Sequence, residues 1–410
     1  MTETLRADAR PARIAVNLLF LTNGALFANL VPRYPGIKAE LGISNAVFGL
    51  SVAAFAAGAL VAGLAAGVLI RRWRSSRVAV FGTILIALGV IAAGLSGSVL
   101  VFTVSLFFIG AMDAIIDVAQ NAHGLRVQRH YGRSIINSFH AVWSIGAVLG
   151  GLMAALAISL NVPIAVHLSI SAMIFVSVAL LAYRFLLKGP DEDGSVADEK
   201  ALQNPSDSPL GTTTVAVKGS RTPSRIAVFA VLLALVLIAT AGTIVEDAGS
   251  SWASLYLFGS LGASESVAAF GFIALVGAQF FGRLIGDRLV DRFGQRAVVA
   301  AGGLIAAFGM GLALAFPSIP GTIVGFGAAG FGVATFVPAA MQAANELPGL
   351  RPGTGLTIVS WLMRLGYLLS PPIVGLIADS TSLRVGLLIV PAVTLAVVAL
   401  SLVLGKRRSS

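Results

Sequence analysis

The 410-residue sequence contains no cysteine and very little charge. The absence of cysteine excludes disulfide bonds, thiolate nucleophiles and cysteine-ligated metal sites. Only 11% of the residues are charged, against about 25% in soluble domains, so a water-soluble protein of this size would lack the ionisable groups to cover its surface. By contrast, 57% of the residues are hydrophobic, and they form runs as long as the ~20 residues that cross a bilayer as a helix. These properties predict an all-α polytopic membrane protein.

Charge clusters and turn residues divide the chain into twelve predicted transmembrane helices. Residues 188–224 form the one long polar stretch, and their acids and prolines are typical of a disordered or surface-lying linker. We therefore predict an N-terminal six-helix bundle over residues 1–187, a linker over 188–224 and a C-terminal six-helix bundle over 225–410.

The basic residues are distributed unevenly between the two predicted faces. Of the 28 lysine and arginine residues, 23 fall in the termini, the linker and the loops of one face, and three fall on the other. Basic loops stay in the cytoplasm, so we predict a multi-pass protein of the bacterial inner membrane with both termini cytoplasmic. The net charge of +10 then results from the basic cytoplasmic loops and does not indicate nucleic-acid binding.

The two halves of the sequence are related by a repeat. A shift of 220 residues places Val47 with Val267, Leu69 with Leu289, Arg72 with Arg292 and Gly146 with Gly366. Parallel six-helix repeats joined by a long linker are the arrangement of the major facilitator fold, in which the substrate site lies between the halves.

A basic turn after the second helix of each half resembles the loop motif of the major facilitator superfamily, Gly-x-x-x-Asp-Arg-x-Gly-x-Arg. The first half keeps Gly67 and Arg72, but Arg71 and Arg74 stand at the Asp and second Gly positions. The second half begins with Asp287 in place of the leading Gly and keeps the remaining pattern, namely Asp291, Arg292, Gly294 and Arg296. In the family this turn supports a latch between helices, so the resemblance implies a gating role for these residues.

Longer motifs resemble an uncharacterised bacterial inner-membrane group related to the fucose permeases. They are the stretches from Asp117 to His123, Ser138 to Gly146, Glu246 to Trp252 and Ser370 to Gly375. Gln128 and Ser251 depart from this group's pattern, and each departure removes an acid. The resemblance implies secondary transport but no particular cargo, because the substrates of the group are largely unassigned.

Acidic residues inside the predicted helices are the strongest functional candidates, because a charge within a membrane span is costly and rarely incidental. Asp113, Asp117 and Asn121 follow one another at four-residue spacing, so they share one face of the fourth helix. Two carboxylates one turn apart repel each other, which favours a proton on one of them and suits proton coupling. The alternative is that both acids pair with arginines near the cytoplasm. His140 on the fifth helix is a candidate relay or an ordinary hydrogen-bonded helix contact.

The second half supplies further charged residues. Glu246 on the seventh helix is another candidate for proton coupling, with an outer-gate hydrogen bond as the alternative, and Asp247 follows it. Arg283 lies one turn before Asp287 and is expected to pair with it. Arg364 lies about ten residues into the eleventh helix, where it is positioned to neutralise the acids of the fourth helix or to bind an anionic group of the substrate. The Ser370-Pro371-Pro372 sequence predicts a break in that helix.

Polar and aromatic side chains within the spans are candidates for substrate binding. We assign this role to Asn23, Asn121, Trp143, Trp252, Trp361 and Arg364. For each tryptophan, packing or anchoring at the membrane interface is the simpler alternative.

These features favour a secondary transporter that moves a small, sugar-like polar solute by alternating access with proton coupling. The alternative within this class is proton-driven efflux of lipophilic compounds, and a non-transporting membrane sensor is the alternative outside it. No nucleophile–base pair or metal-ligand spacing predicts an enzyme, a metal site or a cofactor. The expected partners are the solute, protons and the lipid bilayer, and the expected oligomeric state is a monomer.

Overall fold

The structure, a computed structural model, describes residues 3–131, 135–189, 191, 225–350 and 353–405. Within these ranges twelve helices are long and apolar enough to cross a membrane, as the sequence predicts. We number them in chain order: α1 (Arg10–Leu41), α2 (Asn45–Gly63), α3 (Ser75–Gly94), α4 (Val99–His130), α5 (Ser138–Ser159), α6 (Ile164–Tyr183), α7 (Ile226–Ser260), α8 (Glu265–Phe293), α9 (Gln295–Ala315), α10 (Ile319–Asn345), α11 (Thr354–Ser380) and α12 (Leu383–Val403).

Since each half has six helices, the described chain ends, at residues 3 and 405, and the helix ends that flank the central linker lie on the same side of the bundle. We call this side the termini face and the other side the opposite face. The linker itself lies outside the described residues, apart from its first part. There, Asp191 accepts hydrogen bonds from the backbone nitrogen (2.6 Å) and the hydroxyl (2.7 Å) of Ser75, which begins α3. The start of the linker therefore docks on the first half at the termini face.

Local geometry repeats at the 220-residue offset. Ser44 caps α2 by accepting a hydrogen bond from the nitrogen of Val47, and Ser264 caps α8 by the same bond from Val267, each at 3.3 Å. The glycines two residues before the caps, Gly42 and Gly262, are both left-handed, with φ of 62° and 69°. Equivalent turns therefore start the second helix of each half, in agreement with the repeat.

Two of the helices that deviate from regular α geometry are α7 and α11. In α7, the segments Ala248–Trp252 and Tyr256–Ser260 are π-helical. In α11, a turn at Met363 separates Thr354–Leu362 from Arg364–Ser380, and the second segment runs through Pro371 and Pro372. The predicted break at the prolines is thus wrong. At Met363 the carbonyl accepts hydrogen bonds from the backbone nitrogen of Gly366 at 3.0 Å and from Thr243 Oγ1 of α7 at 2.9 Å, so the interruption of α11 is tied to α7.

The halves pack closely near the opposite face. A Cβ atom at Gly49 of α2 would lie 2.3 Å from the carbonyl oxygen of Pro371, and one at Gly375 would lie 2.3 Å from that of Asn45, so α2 and α11 touch backbone to backbone. Asp379, at the end of α11, accepts hydrogen bonds from the backbone nitrogens of Asn45 (2.9 Å) and Ala46 (2.8 Å). The start of α2 is thereby tied to the other half.

Candidate functional site

The polar residues of α4 form a connected chain with α5. Asn121 Nδ2 donates a hydrogen bond to Asp117 Oδ1 at 2.9 Å, and its Oδ1 lies 3.2 Å from His140 Nε2. The amide therefore connects the carboxyl group to the imidazole. One turn earlier, Asp113 interacts through its side chain with Asn23 of α1, which is buried.

The exposure of this chain shows where it faces. Asp117 and His140 are exposed and Asp113 is half-buried, although all three lie within helices that are long and apolar enough to span the membrane. Lipid would not tolerate this set of polar groups, so the exposed side must face a water-accessible cavity between the halves. Phe20 of α1 supports His140 by an edge-to-face contact with 5.2 Å between ring centroids.

A second polar cluster surrounds Glu246 in α7. Its Oε1 accepts hydrogen bonds from Gln279 and from Arg283 of α8, the latter at 2.8 Å, and its Oε2 accepts one from the hydroxyl of Tyr367 on α11. The sequence spacing predicted a pair between Arg283 and Asp287, and this prediction is wrong. Arg283 pairs with Glu246 instead, because its side chain points to α7 rather than along α8. Three helices of the second half therefore hold one carboxyl group.

The two clusters face each other across the cavity. Arg364 of α11 attracts both Asp113 and Asp117 of the first half, and its guanidinium lies 3.6 Å from the position of a Cβ on Gly63 of α2. Arg283 of α8 also acts electrostatically on His140, but it repels the charged imidazole because both groups are cations. The second half therefore presents two cations, Arg364 and Arg283, to the acids and the imidazole of the first half.

The three candidate tryptophans differ in their surroundings. Trp361 is 55% exposed on α11, and Trp143 is half-buried on α5. Trp252 is fully buried and meets Phe48 of the first half edge-on, with 5.5 Å between ring centroids. In this conformation Trp143 and Trp361 retain surface for a ligand, whereas Trp252 fills the contact between the halves.

The loop-motif residues lie at the termini face. Gly294 has φ of 85°, which explains glycine at this position, and the guanidinium of Arg292 lies 5.3 Å from the centroid of the Phe293 ring. In the described ranges, neither Asp287 nor Asp291 forms a hydrogen bond or an ion pair with another side chain. The other motif positions, Gly67, Arg72 and Arg296, surround the same two turns between α2 and α3 and between α8 and α9.

Two functional candidates were missed from the sequence. Tyr367 donates a hydrogen bond to Glu246. It lies one turn after Arg364 on α11, and this spacing could have indicated that it shares the face of a candidate site residue. Asp379 ties α11 to α2, but an acid at the end of a helix gives no indication of a distant partner. Within the part of the chain that the structure describes, no three His, Asp or Glu side chains are grouped to hold a metal ion.

Among the described residues, twelve helices long and apolar enough to span a membrane form two repeated halves with a polar site between them, and this arrangement defines a secondary transporter. The chain belongs to the Major Facilitator Superfamily, whose family model matches residues 16–288 and 248–410. Members of this superfamily bind and transport solutes and are not enzymes.

Similar sequences come from several bacteria. The chain is 28% identical over 371 residues to an uncharacterized transporter, y4wD, of Sinorhizobium fredii, covering 90% of this chain and 92% of that one. It is 27% identical to the membrane protein MosC of Rhizobium meliloti, covering 96% and 90% of the two chains.

Solved structures share the fold at low sequence identity. The nucleoside transporter NupG matches with a TM-score of 0.68 at 13% identity, covering 95% of this chain and 98% of that one. A D-xylose-proton symporter matches with a TM-score of 0.65 at 15% identity, covering 96% of both chains. At these identities the similarity establishes the fold alone.

Proposed function

We propose that this protein is a proton-coupled transporter of a small polar solute, with Asp113, Asp117, Glu246 and His140 as the proton-coupling groups. The observation that carries the proposal is the position of Arg364, a cation of the second half that is attracted to Asp113 and Asp117 of the first. A proton on either acid removes part of that attraction. Proton binding would therefore change the force between the halves, which is what coupling requires.

A path for the proton is also available. His140 and Asp117 are both exposed to the cavity and are connected through Asn121. Imidazole exchanges protons near neutral pH, so His140 would pass a proton between the cavity water and Asp117. On the other side of the cavity, Glu246 would serve as a further proton-coupling group, with Arg283 as its cation.

The polar character of the cavity favours a solute rich in hydroxyl or amide groups. Asn23 and Asn121 supply amides near the acids, and Trp143 and Trp361 present aromatic surfaces on which a sugar-like ring would stack. Lipophilic efflux is the second candidate, and the 55% exposure of the Trp361 side chain is the observation that favours it.

We infer the orientation from the basic residues. The termini face holds most of the lysines and arginines, so it is the cytoplasmic face of a bacterial inner membrane. The cavity that exposes Asp117 and His140 then opens to the cytoplasm, because the halves are joined near the opposite face by Asp379. We further propose that the protein works as a monomer and that its motifs reflect a relationship to the fucose permeases.

The test is solute-driven proton flux in proteoliposomes that contain a pH-sensitive dye. Sugars, polyols, nucleosides and amino acids are screened against lipophilic cations. We expect a polar solute to move protons with the wild-type protein, and we expect the flux to be lost in Asp117→Asn and Glu246→Gln. The matched control is Glu40→Gln, which removes an exposed acid near the opposite face. Proton flux with lipophilic cations alone would favour efflux, and undiminished flux in both variants would contradict the proposal.

A further inference from the structure

Asp247 follows Glu246 in α7 but lies in a different environment. Its side chain is 5% exposed, and it immediately precedes the π-helical segment Ala248–Trp252. Oδ1 accepts a hydrogen bond from Ser251 Oγ at 2.7 Å, whereas Oδ2 is buried and has no hydrogen-bond partner among the described residues. Two adjacent acids thus face two compartments, Glu246 towards the cavity and Asp247 towards the contact between the halves.

The surroundings of Asp247 come from both halves. Tyr34 of α1 is 1% exposed and interacts electrostatically with the carboxyl group, and Ser370 of α11 faces it from the second half. Trp252, on the next turn of α7, packs on Phe48 of α2. Asp247 is therefore enclosed only while α1 and α2 are packed against α7 and α11, which is the state with the opposite face closed.

The charged and titratable groups around Asp247 do not neutralise it. They are Tyr34 on α1, Tyr367 on α11 and Glu246 on α7 itself, all of which are neutral or negative. In the described ranges no lysine, arginine or histidine forms an ion pair with Asp247. Glu246 has Arg283 as its cation, so that charge is already paired.

A buried carboxylate without a cation is unstable in a protein interior, and the usual response is to bind a proton. The π-helix adds a second indication, because such segments occur frequently at functional sites. Ser251 of this segment lies four residues after Asp247 and donates the hydrogen bond to it. When the halves separate at the opposite face, water reaches the carboxyl group and it can ionise.

We propose that Asp247 is a second proton-binding site, which takes up a proton from the opposite face and must hold it for that face to close. This site rests on the alternating access of the proposed function but adds a separate role. Its proton stays enclosed while the cavity is open to the termini face, so it controls closure and is not delivered with the solute. The structure thereby separates a gating proton at Asp247 from the coupling protons at the cavity.

The test measures the distance across the opposite face with no solute present. The chain has no native cysteine, so Gly97→Cys in the α3–α4 loop and Phe316→Cys after α9 give one unique spin-label pair, with one label on each half. Both positions are exposed. Double electron–electron resonance in nanodiscs then reports the open and closed populations at pH about 5 and about 9, a range that spans protonated and ionised carboxyl groups.

We expect the wild-type pair to shift from short distances at the lower pH towards long distances at the higher pH. Asp247→Asn keeps the shape and the Ser251 contact but not the charge, and we expect it to lose the pH-dependent shift and stay at short distances. Asp247→Ser is the second uncharged variant, in case the amide impairs folding. Glu40→Gln is the matched control, an exposed acid near the same face, and should retain the shift.

A pH-independent wild-type distance, or an unchanged shift in Asp247→Asn and Asp247→Ser, would overturn the assignment. The result does not depend on solute-driven proton flux. If flux is found but the shift is not, the proposed function stands and the gating site fails. If the shift is found without flux, the gating site stands and the proposed function fails.

Discussion

Arg74 and Gly294 occupy the same place in the two halves and share one unusual backbone conformation. Arg74 has φ of 73° and ψ of 146°, and Gly294 has φ of 85° and ψ of 152°. Each ends the helical segment before a turn and begins the next transmembrane helix. Glycine adopts this conformation without strain, whereas an L-residue with a Cβ does not.

Arg74→Gly is therefore expected to stabilise the protein. The relief of backbone strain is worth about 1 kcal/mol, and it exceeds the small entropic cost of the added flexibility in a turn. The measurement is the midpoint of thermal unfolding in detergent, which should rise. Asn161→Gly is the matched control, because Asn161 has φ of 53° and asparagine tolerates the left-handed region, so its midpoint should change less. A fall in the midpoint for Arg74→Gly would contradict the strain assignment.

Asp379→Asn should loosen the contact between α2 and α11 at the opposite face. The carboxylate accepts two backbone hydrogen bonds at the start of α2 and one from the Asn45 side chain at 2.9 Å. An amide has only one acceptor oxygen, and its NH₂ group would face the donors at the start of α2. We therefore expect the contact between α2 and α11 to lose about 1–2 kcal/mol of stabilisation. The spin-label pair at residues 97 and 316 should show a larger open population at every pH. Unchanged populations would mean that Asp379 does not hold the face closed.

Arg283→Ala should impair transport because it leaves Glu246 without its cation. The ion pair is partly exposed, with side-chain exposures of 37% for Arg283 and 19% for Glu246. Solvent screening therefore limits the contribution of the pair to about 1 kcal/mol. That loss corresponds to a five- to tenfold lower rate, roughly. Arg288→Ala, which removes an exposed arginine from the same helix, is the control, and uptake should stay at the wild-type level. Equal loss in the two variants would show that the general charge of α8 matters and not the pair with Glu246.

The sequence predicted the architecture well because the architecture depends on local signals. Helix lengths follow from hydropathy, and the repeated caps at Ser44 and Ser264 are visible as a pattern at one offset. The partners of the buried charges were harder to predict. Arg283 was assigned to Asp287 by helical spacing, but the rotation of α8 against α7 directs it to Glu246. Partner choice depends on how helices cross, and periodicity along one helix carries no information about that.

The same limit applies to Asp247. Its spacing from Ser251 was visible in the sequence, but its enclosure by Tyr34 depends on the packing of α1 against α7. The proline pair in α11 is a local signal that led to a wrong prediction, because it predicted a helix break where the helix continues. The helix continues through Pro371 and is interrupted at Met363, whose carbonyl accepts a hydrogen bond from Thr243.

The central claim is that Asp117 couples protons to solute movement. Two transport modes separate coupling from binding once a solute has been identified. Accumulation against a gradient needs the proton, whereas exchange of labelled for unlabelled solute at equal concentration does not. The most direct measurement compares both modes for Asp117→Asn in proteoliposomes. We predict that proton-driven accumulation is lost while exchange is retained, and accumulation at the wild-type level would contradict the claim.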